Sequence, residues 1–194
     1  ELGLAEPIQR ALNERNHIVP TPIQVKAIPK LLDGCDMLGI AQTGTGKTGA
    51  FALPILHKLS RQHGHDGANV PHSPRALILA PTRELAIQID GEVHAYSKYL
   101  HLRHCVIYGG VKQNPQVKAL ARGIDIVIAT PGRLLDLMNQ REIWLNAVKF
   151  IVLDEADRML DMGFQRDVNK IISALPKIRQ SLLFSATMPS EISR

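Results

Sequence analysis

Short, continuously apolar runs alternate with stretches of helical spacing along this chain. The runs at 37–41, 76–80, 105–108, 126–129, 150–153 and 181–184 read as strands buried on both faces. That is the signature of a parallel sheet rather than of an antiparallel one with a wet side. Between them, 46–61, 84–99, 115–122, 132–139 and 164–175 carry apolar residues at helical intervals, and two further helices, 6–13 and 22–32, precede the first strand. The alternation predicts an α/β fold, a doubly wound and mainly parallel sheet with helices on both faces. Ligands of such sheets sit beyond the carboxyl ends of the strands, and a polar motif follows every apolar run here. Residues 62–74 break the pattern. They are polar and hold Gly64, Gly67, Pro71 and Pro74, so they read as an exposed loop. His63, His65 and His72 lie there with no Cys or carboxylate at ligand spacing, which argues against a metal site.

Composition narrows the class. A chain of 194 residues fits one domain, 1–194, with a full core. Aromatic residues make up only 4%, so packing rests on Leu, Ile, Val and Ala. Cys35 and Cys105 lie in or beside apolar segments and read as two buried free thiols, in keeping with a reduced cytoplasmic setting. No apolar run of eighteen residues and no signal-peptide pattern occur, so no membrane association is expected. The net charge of +5 permits a polyanionic partner, but no Lys/Arg run concentrates it. The chain opens at Glu1 without Met, which reads as a boundary within a longer sequence.

The chemistry starts with Ala41-Gln42-Thr43-Gly44-Thr45-Gly46-Lys47-Thr48, placed between an apolar run and a helical segment. Gly44 and Gly46 let the backbone curl so that its N–H groups point at phosphate oxygens. The helix dipole lies behind them. Lys47 can reach β and γ phosphates, and the Thr48 hydroxyl can join a Mg²⁺ shell. Ala41 stands where the usual pattern has its first Gly. Asp154-Glu155-Ala156-Asp157 ends the run 150–153. An Asp at the end of a buried strand suits a Mg²⁺ held partly through water, and Glu155 beside it could polarise an attacking water. An acidic pair at a helix start could also be only a favourable cap.

Further motifs follow in order: Pro20-Thr21-Pro22-Ile23-Gln24, Pro81-Thr82-Arg83-Glu84-Leu85, Gly109-Gly110, Thr130-Pro131-Gly132-Arg133 and Ser185-Ala186-Thr187. With the two acidic and phosphate motifs, they make the whole chain resemble the first RecA-like domain of a DEAD-box ATP-dependent RNA helicase. The run Arg158-Met159-Leu160-Asp161-Met162-Gly163-Phe164 looks most like the bacterial RhlE-type branch.

The resemblance implies roles. Lys47, Asp154 and Glu155 would be catalytic. Thr21, Gln24 and Thr43 through Thr48 (Thr43, Gly44, Thr45, Gly46, Lys47, Thr48) would bind ATP, with Thr48 and Asp154 holding Mg²⁺. Gln24 would read the adenine edge, because an amide both donates and accepts. Where the family has Gly and an aromatic residue, this chain has Asn16 and His17, and His17 could lie against the base. Pro81, Thr82, Arg83, Gly109, Gly110, Thr130, Pro131, Gly132 and Arg133 would face RNA, single-stranded or in a short duplex, through its backbone and without sequence preference. No aromatic residue lies within these motifs to stack on bases. Asp157, Ser185 and Thr187 would couple nucleotide state to the rest of the molecule. The second RecA-like domain, with its arginine finger, would lie beyond Arg194, and residues 1–194 alone would be a monomeric, nearly inactive ATP-binding half. An ATP-gated RNA clamp or scaffold is the rival reading.

Overall fold

The computed structural model describes residues 2–42, 44–61 and 70–187. Two helices, α1 (Glu6–Glu14) and α2 (Pro22–Leu32), precede β1 (Met37–Ile40) and α3 (Lys47–Arg61). Then come β2 (Ala76–Leu79), α4 (Arg83–Tyr96), β3 (His104–Ile107), α5 (Asn114–Ala121), β4 (Ile126–Ala129) and α6 (Pro131–Asn139). The chain continues through β5 (Phe150–Leu153), α7 (Ala156–Asp161), α8 (Gln165–Ser173) and β6 (Gln180–Ser185). The six strands form one sheet, parallel throughout, in the order β1-β6-β5-β2-β4-β3.

Strand alternation splits the core between the two faces. Ala76 and Ile78 of β2 join Phe51, Leu56, Ile89 and Phe184 on one side. Leu77 and Leu79 join Leu134, Leu137, Met159 and Ile171 on the other. Burial on both faces explains why β2 and β4 are apolar at every position. The phosphate-loop helix is anchored by shape. Phe184 lies with its ring centroid 5.5 Å from that of Phe51 in α3. A Cβ at Gly39 of β1 would come within 2.8 Å of the Phe184 ring, so that strand position must be glycine.

Several details differ from the sequence reading. Leu38 and Ile40 are exposed, because β1 is an edge strand bonded only to β6. Cys35, expected to be buried, is exposed: it sits in the turn after α2, next to Gly34 at φ +88°. Cys105 is half-buried, and burial pushes its thiol up to about 12. Helix α4 stops at Tyr96 rather than reaching 99, and the six-residue α7 was not foreseen. Strand β6 opens on Gln180, whose amide donates to the carbonyls of Leu31 (3.0 Å) and Cys35 (2.7 Å) and accepts from Lys58 (3.0 Å). That one buried side chain joins β6 to the helices on its face.

Of the 62–74 loop, 62–69, with His63 and His65, fall outside the described residues. Val70 and Pro71 are exposed as expected, but His72 and Ser73 are half-buried and Pro74 is buried, so the exposed loop ends before the strand. His72 is a structural anchor, its Nδ1 2.6 Å from the Glu142 carbonyl and its ring edge-on to Trp144. Among the described residues no group of His, Cys, Asp or Glu is arranged to hold a metal, and no helix is long and apolar enough to cross a membrane.

Candidate functional site

The strand order sorts the motifs. Those following β1, β6 and β5 share one half of the sheet's carboxyl edge, and those following β2, β4 and β3 share the other.

On the first half, Thr21 starts α2. Its hydroxyl accepts from the Gln24 N–H (3.4 Å), while Gln24 Oε1 accepts from the Thr21 N–H (3.1 Å), a reciprocal capping box. Gln24 Nε2 also donates to the Gly46 carbonyl at 3.1 Å. The amide keeps one donor and one acceptor for a ligand, the pair that adenine needs. The contact is close enough to dictate two glycines. A Cβ at Gly46 would stand 2.5 Å from Thr21 Oγ1, and one at Gly49 would stand 2.6 Å from Gln24 Nε2. Asn16 has φ +58°, a left-handed conformation that Asn tolerates, so it can replace glycine. His17 is exposed, its ring 6.3 Å from that of Tyr96. Tyr96, which sequence reasoning missed, lies beside Gly49 and is pushed up to about 12, chiefly by burial and then by Glu92.

The phosphate loop turns at Gly44 and Gly46, at φ +86° and +82°. Ala41 is buried without a positive φ, so no glycine is required there. Thr43 falls outside the described residues. The Thr45 hydroxyl donates to the Gln42 carbonyl at 2.7 Å. Lys47 and Thr48 open α3 and are both buried, Lys47 at 6% exposure. Lys47 Nζ lies 3.0 Å from Asp154 Oδ1 and 3.6 Å from Glu155 Oε1. Asp154 is fully buried, and its Oδ2 has no hydrogen-bond partner among the described residues. Burial raises its carboxyl above the ordinary value, against the pull of Lys47. A buried carboxylate oxygen with no partner among the described residues, on an Asp ion-paired to Lys47 at the start of the helix that also carries the buried Thr48, fits a Mg²⁺ site. Glu155 has φ +52°, bonds to Arg158 at 3.3 Å and caps α7 without a side-chain hydrogen bond to it.

Asp157 Oδ2 accepts from the Thr187 N–H (3.2 Å) and hydroxyl (3.1 Å). Burial pushes the Asp157 carboxyl up, but the Thr187 and Ser185 hydroxyls and nearby backbone N–H groups outweigh it and leave it low. The Ser185 hydroxyl is buried close by, outside hydrogen-bonding geometry.

On the other half, the Thr82 hydroxyl caps α4, accepting from the Leu85 N–H at 3.2 Å. Thr130 makes no such side-chain cap on α6. Pro81 and Pro131 are buried. Gly109, Gly110 and Gly132 are exposed, with open space where a Cβ would be, so another backbone can approach them. Arg83 lies 5.0 Å over the ring of Tyr108, an aromatic neighbour of these motifs that the sequence reading passed over. Arg133 is already engaged, with Gln116 Oε1 at 3.2 Å and the Val111 carbonyl at 2.8 Å.

A family model described as DEAD/DEAH box helicase matches residues 21–194. The chain is 46% identical over 194 residues to "ATP-dependent RNA helicase CshA" of Listeria monocytogenes, covering all of this chain and 36% of that protein. It is 46% identical over 195 residues to "ATP-dependent RNA helicase DeaD" of Escherichia coli K12, covering all of this chain and 30% of that protein. The crystal structure of a DEAD box protein from the hyperthermophile Methanococcus jannaschii superimposes with a TM-score of 0.90 at 43% identity, over all of this chain and 51% of that one. The chain thus spans about a third of the curated relatives and half of the solved structure.

Proposed function

Because this chain belongs to the DEAD/DEAH box helicase family, we propose that it is the ATP-binding half of an ATP-dependent RNA helicase that couples ATP binding and hydrolysis to local separation of an RNA duplex. The observation that carries the reading is the division of the sheet edge. Phosphate-type donors and the buried Asp154, with Glu155 and Asp157 beside it, gather at β1, β6 and β5, and open glycines with Arg83 gather at β2, β4 and β3. The names of the relatives, both ATP-dependent RNA helicases, support ATP for the first half and RNA for the second.

In this reading Gln24 presents its spare donor and acceptor to adenine, with His17 and Tyr96 beside it. Backbone N–H groups of the 44–48 turn take the phosphates, with Thr43 in the same loop. Lys47 exchanges its carboxylate partners for phosphate oxygens. Thr48 and Asp154 would hold Mg²⁺, and the ion would neutralise phosphate charge. Glu155 orients the attacking water. Pro81–Arg83, Gly109, Gly110 and 130–132, with Arg133 behind them, form the surface for the RNA backbone, which gives no sequence preference. Asp157 with Ser185 and Thr187 passes nucleotide state onward.

The whole protein would carry a second RecA-like domain supplying an arginine and the rest of the RNA groove. Closure of the two would bend one strand and break a short duplex. A cytoplasmic, membrane-free, monomeric domain of the RhlE-type branch is part of the same proposal. The rival, an ATP-gated RNA clamp, shares the whole site. Duplex separation, compared with ATP-dependent retention on single strands by the whole protein, distinguishes them, and retention without separation selects the clamp. Residues 1–194 alone should bind adenine nucleotide yet show little RNA-stimulated hydrolysis. A strong RNA-dependent rate from them would refute the two-domain mechanism.

A further inference from the structure

Gln116 is a buried polar residue, 8% exposed, in the first turn of α5. Its Nε2 donates to the Tyr108 carbonyl at 3.0 Å, and its Oε1 accepts from Arg133 at 3.2 Å. A carbonyl on one side and a guanidinium on the other fix the amide's orientation. The second arm of the same guanidinium donates to the Val111 carbonyl at 2.8 Å. One amide–guanidinium pair therefore holds both ends of the 108–111 loop. Between those ends stand Gly109 and Gly110, exposed, with Gly110 at φ +81°. Outside helices and strands, no backbone–backbone hydrogen bond of the described residues involves Gly109, Gly110 or Val111. The loop owes its shape to these side chains. Its first residue, Tyr108, also carries the Arg83 guanidinium on its ring.

We propose that Gln116 is a positioning residue for RNA: it locks the Gly109–Gly110 loop in its receptive shape, and Arg133 acts through that loop rather than by touching phosphate. The inference rests on the RNA reading of this half of the sheet edge. Two of the five N–H groups of Arg133 are held by protein oxygens of this loop and its Gln116 brace, which anchors the guanidinium there. An exposed glycine pair with a fixed backbone can offer N–H groups to a phosphate, and a loosened pair cannot do so without an entropic cost.

The test is RNA binding by the whole protein. A labelled single-stranded RNA is titrated with a non-hydrolysable ATP analogue present, over a range of salt, for the parent, Gln116→Leu, Gln116→Glu, Arg133→Gln and the Gln116→Leu/Arg133→Gln pair. Gln116→Leu and Arg133→Gln should each weaken RNA about tenfold, the effect of roughly 1.4 kcal/mol. The double variant should be no weaker than the worse single, because both remove one device. The salt slope should stay at the parent's value in every variant, and nucleotide affinity should not change. Gln116→Glu keeps the acceptor for Arg133 but turns a carboxylate on the Tyr108 carbonyl, so it should lose RNA as well. If Gln116→Leu loses nucleotide too, Gln116→Glu decides in its place. Parent-like RNA affinity in the Gln116 variants overturns the proposal. So does additivity with a slope that falls by about 0.7 in Arg133→Gln, the mark of one lost phosphate contact on a single strand. A parent that does not bind RNA at all overturns the functional reading as well, whereas a parent that binds while the Gln116 variants match it overturns this inference alone.

Discussion

Lys47→Ala should destabilise the nucleotide-free protein, and the loss should shrink in acid. Lys47 Nζ sits 3.0 Å from Asp154 Oδ1, and Asp154 is 0% exposed. Removing one partner of a buried ion pair costs about 3–5 kcal/mol, because the other charge is left in a poor solvent. The lower end applies here, since Asp154 Oδ1 keeps the Glu155 N–H at 3.0 Å. The sign of the pH dependence follows from the carboxyl. Burial already holds Asp154 above its ordinary value of 3.8, and Lys47 is the largest opposing influence. Without Lys47 the carboxyl rises further. A carboxyl raised in the folded state costs stability in full above its folded pKa, and that cost disappears as pH falls through the folded pKa toward the unfolded value. The window therefore opens at 3.8 and extends up to the raised pKa.

Urea denaturation of the parent and Lys47→Ala, near neutrality and at mildly acidic pH, reads this directly. The gap between them should narrow in acid. Adding Asp154→Asn to Lys47→Ala should restore most of the loss at neutral pH, because a neutral amide needs no counter-ion. A gap that is the same at both pH values, with additive single effects, would refute the idea that the pair is a buried charge balance. Nucleotide affinity should fall sharply in Lys47→Ala whatever the pH.

Three other substitutions test neighbouring contacts. Gly46→Ala combines a Cβ 2.5 Å from Thr21 Oγ1 with a backbone at φ +82°, a strain of about 1–3 kcal/mol that should be read as lost nucleotide affinity in a titration. Gln24→Ala should erase the preference for ADP over GDP in competition and, with the capping box gone, lower stability by about 1 kcal/mol; undiminished preference would place base recognition elsewhere. Gln180→Leu strands the Leu31 and Cys35 carbonyls and the Lys58 ammonium, and chemical denaturation should show a loss of roughly 2–4 kcal/mol, with parent-like stability contradicting the bridging role.

What was legible in the chain was whatever is written locally. Strands β2 and β4 are apolar at every position because both faces are covered; the run gives the bounds of β4 and overshoots β2 by one residue, Ala80. The phosphate loop and Asp154 were legible because glycine, lysine and acid stand at the spacing that phosphate chemistry needs. The misses are contacts across distant segments. Nothing near Gln116 announces that its amide faces Arg133, seventeen positions away, and nothing near Gly49 announces that Gln24 fills the space above it. Cys35 was misplaced because a residue between two apolar elements was taken to share their burial, whereas it belongs to the turn joining them. The edge position of β1, which exposes Leu38 and Ile40, depends on strand order, which periodicity does not carry.

Two of the departures from the family pattern show what a motif position constrains. Asn16 stands where glycine is usual, yet the requirement is a left-handed backbone, and Asn meets it at φ +58°. Ala41 replaces a glycine whose special conformation this loop does not use, since no positive φ occurs there. Gly46 and Gly49 are different: in each, the missing Cβ makes room for Thr21 or Gln24. The 44–49 turn and the Thr21–Gln24 capping box are therefore one packed unit, and its glycines are set by a neighbour rather than by the turn alone. The same packing bears on the proposed coupling. Strand β5 carries Asp154 at its end and bonds to β6 on one side and β2 on the other. A shift at the acid must strain both ladders or turn α7, whose Asp157 already holds Thr187. A helix of six residues, tied at its first turn, gives more easily than the central strands of a parallel sheet. If nucleotide binding shifts Asp154, the proposed coupling would therefore run through α7 and its Asp157–Thr187 contact rather than through the central strands.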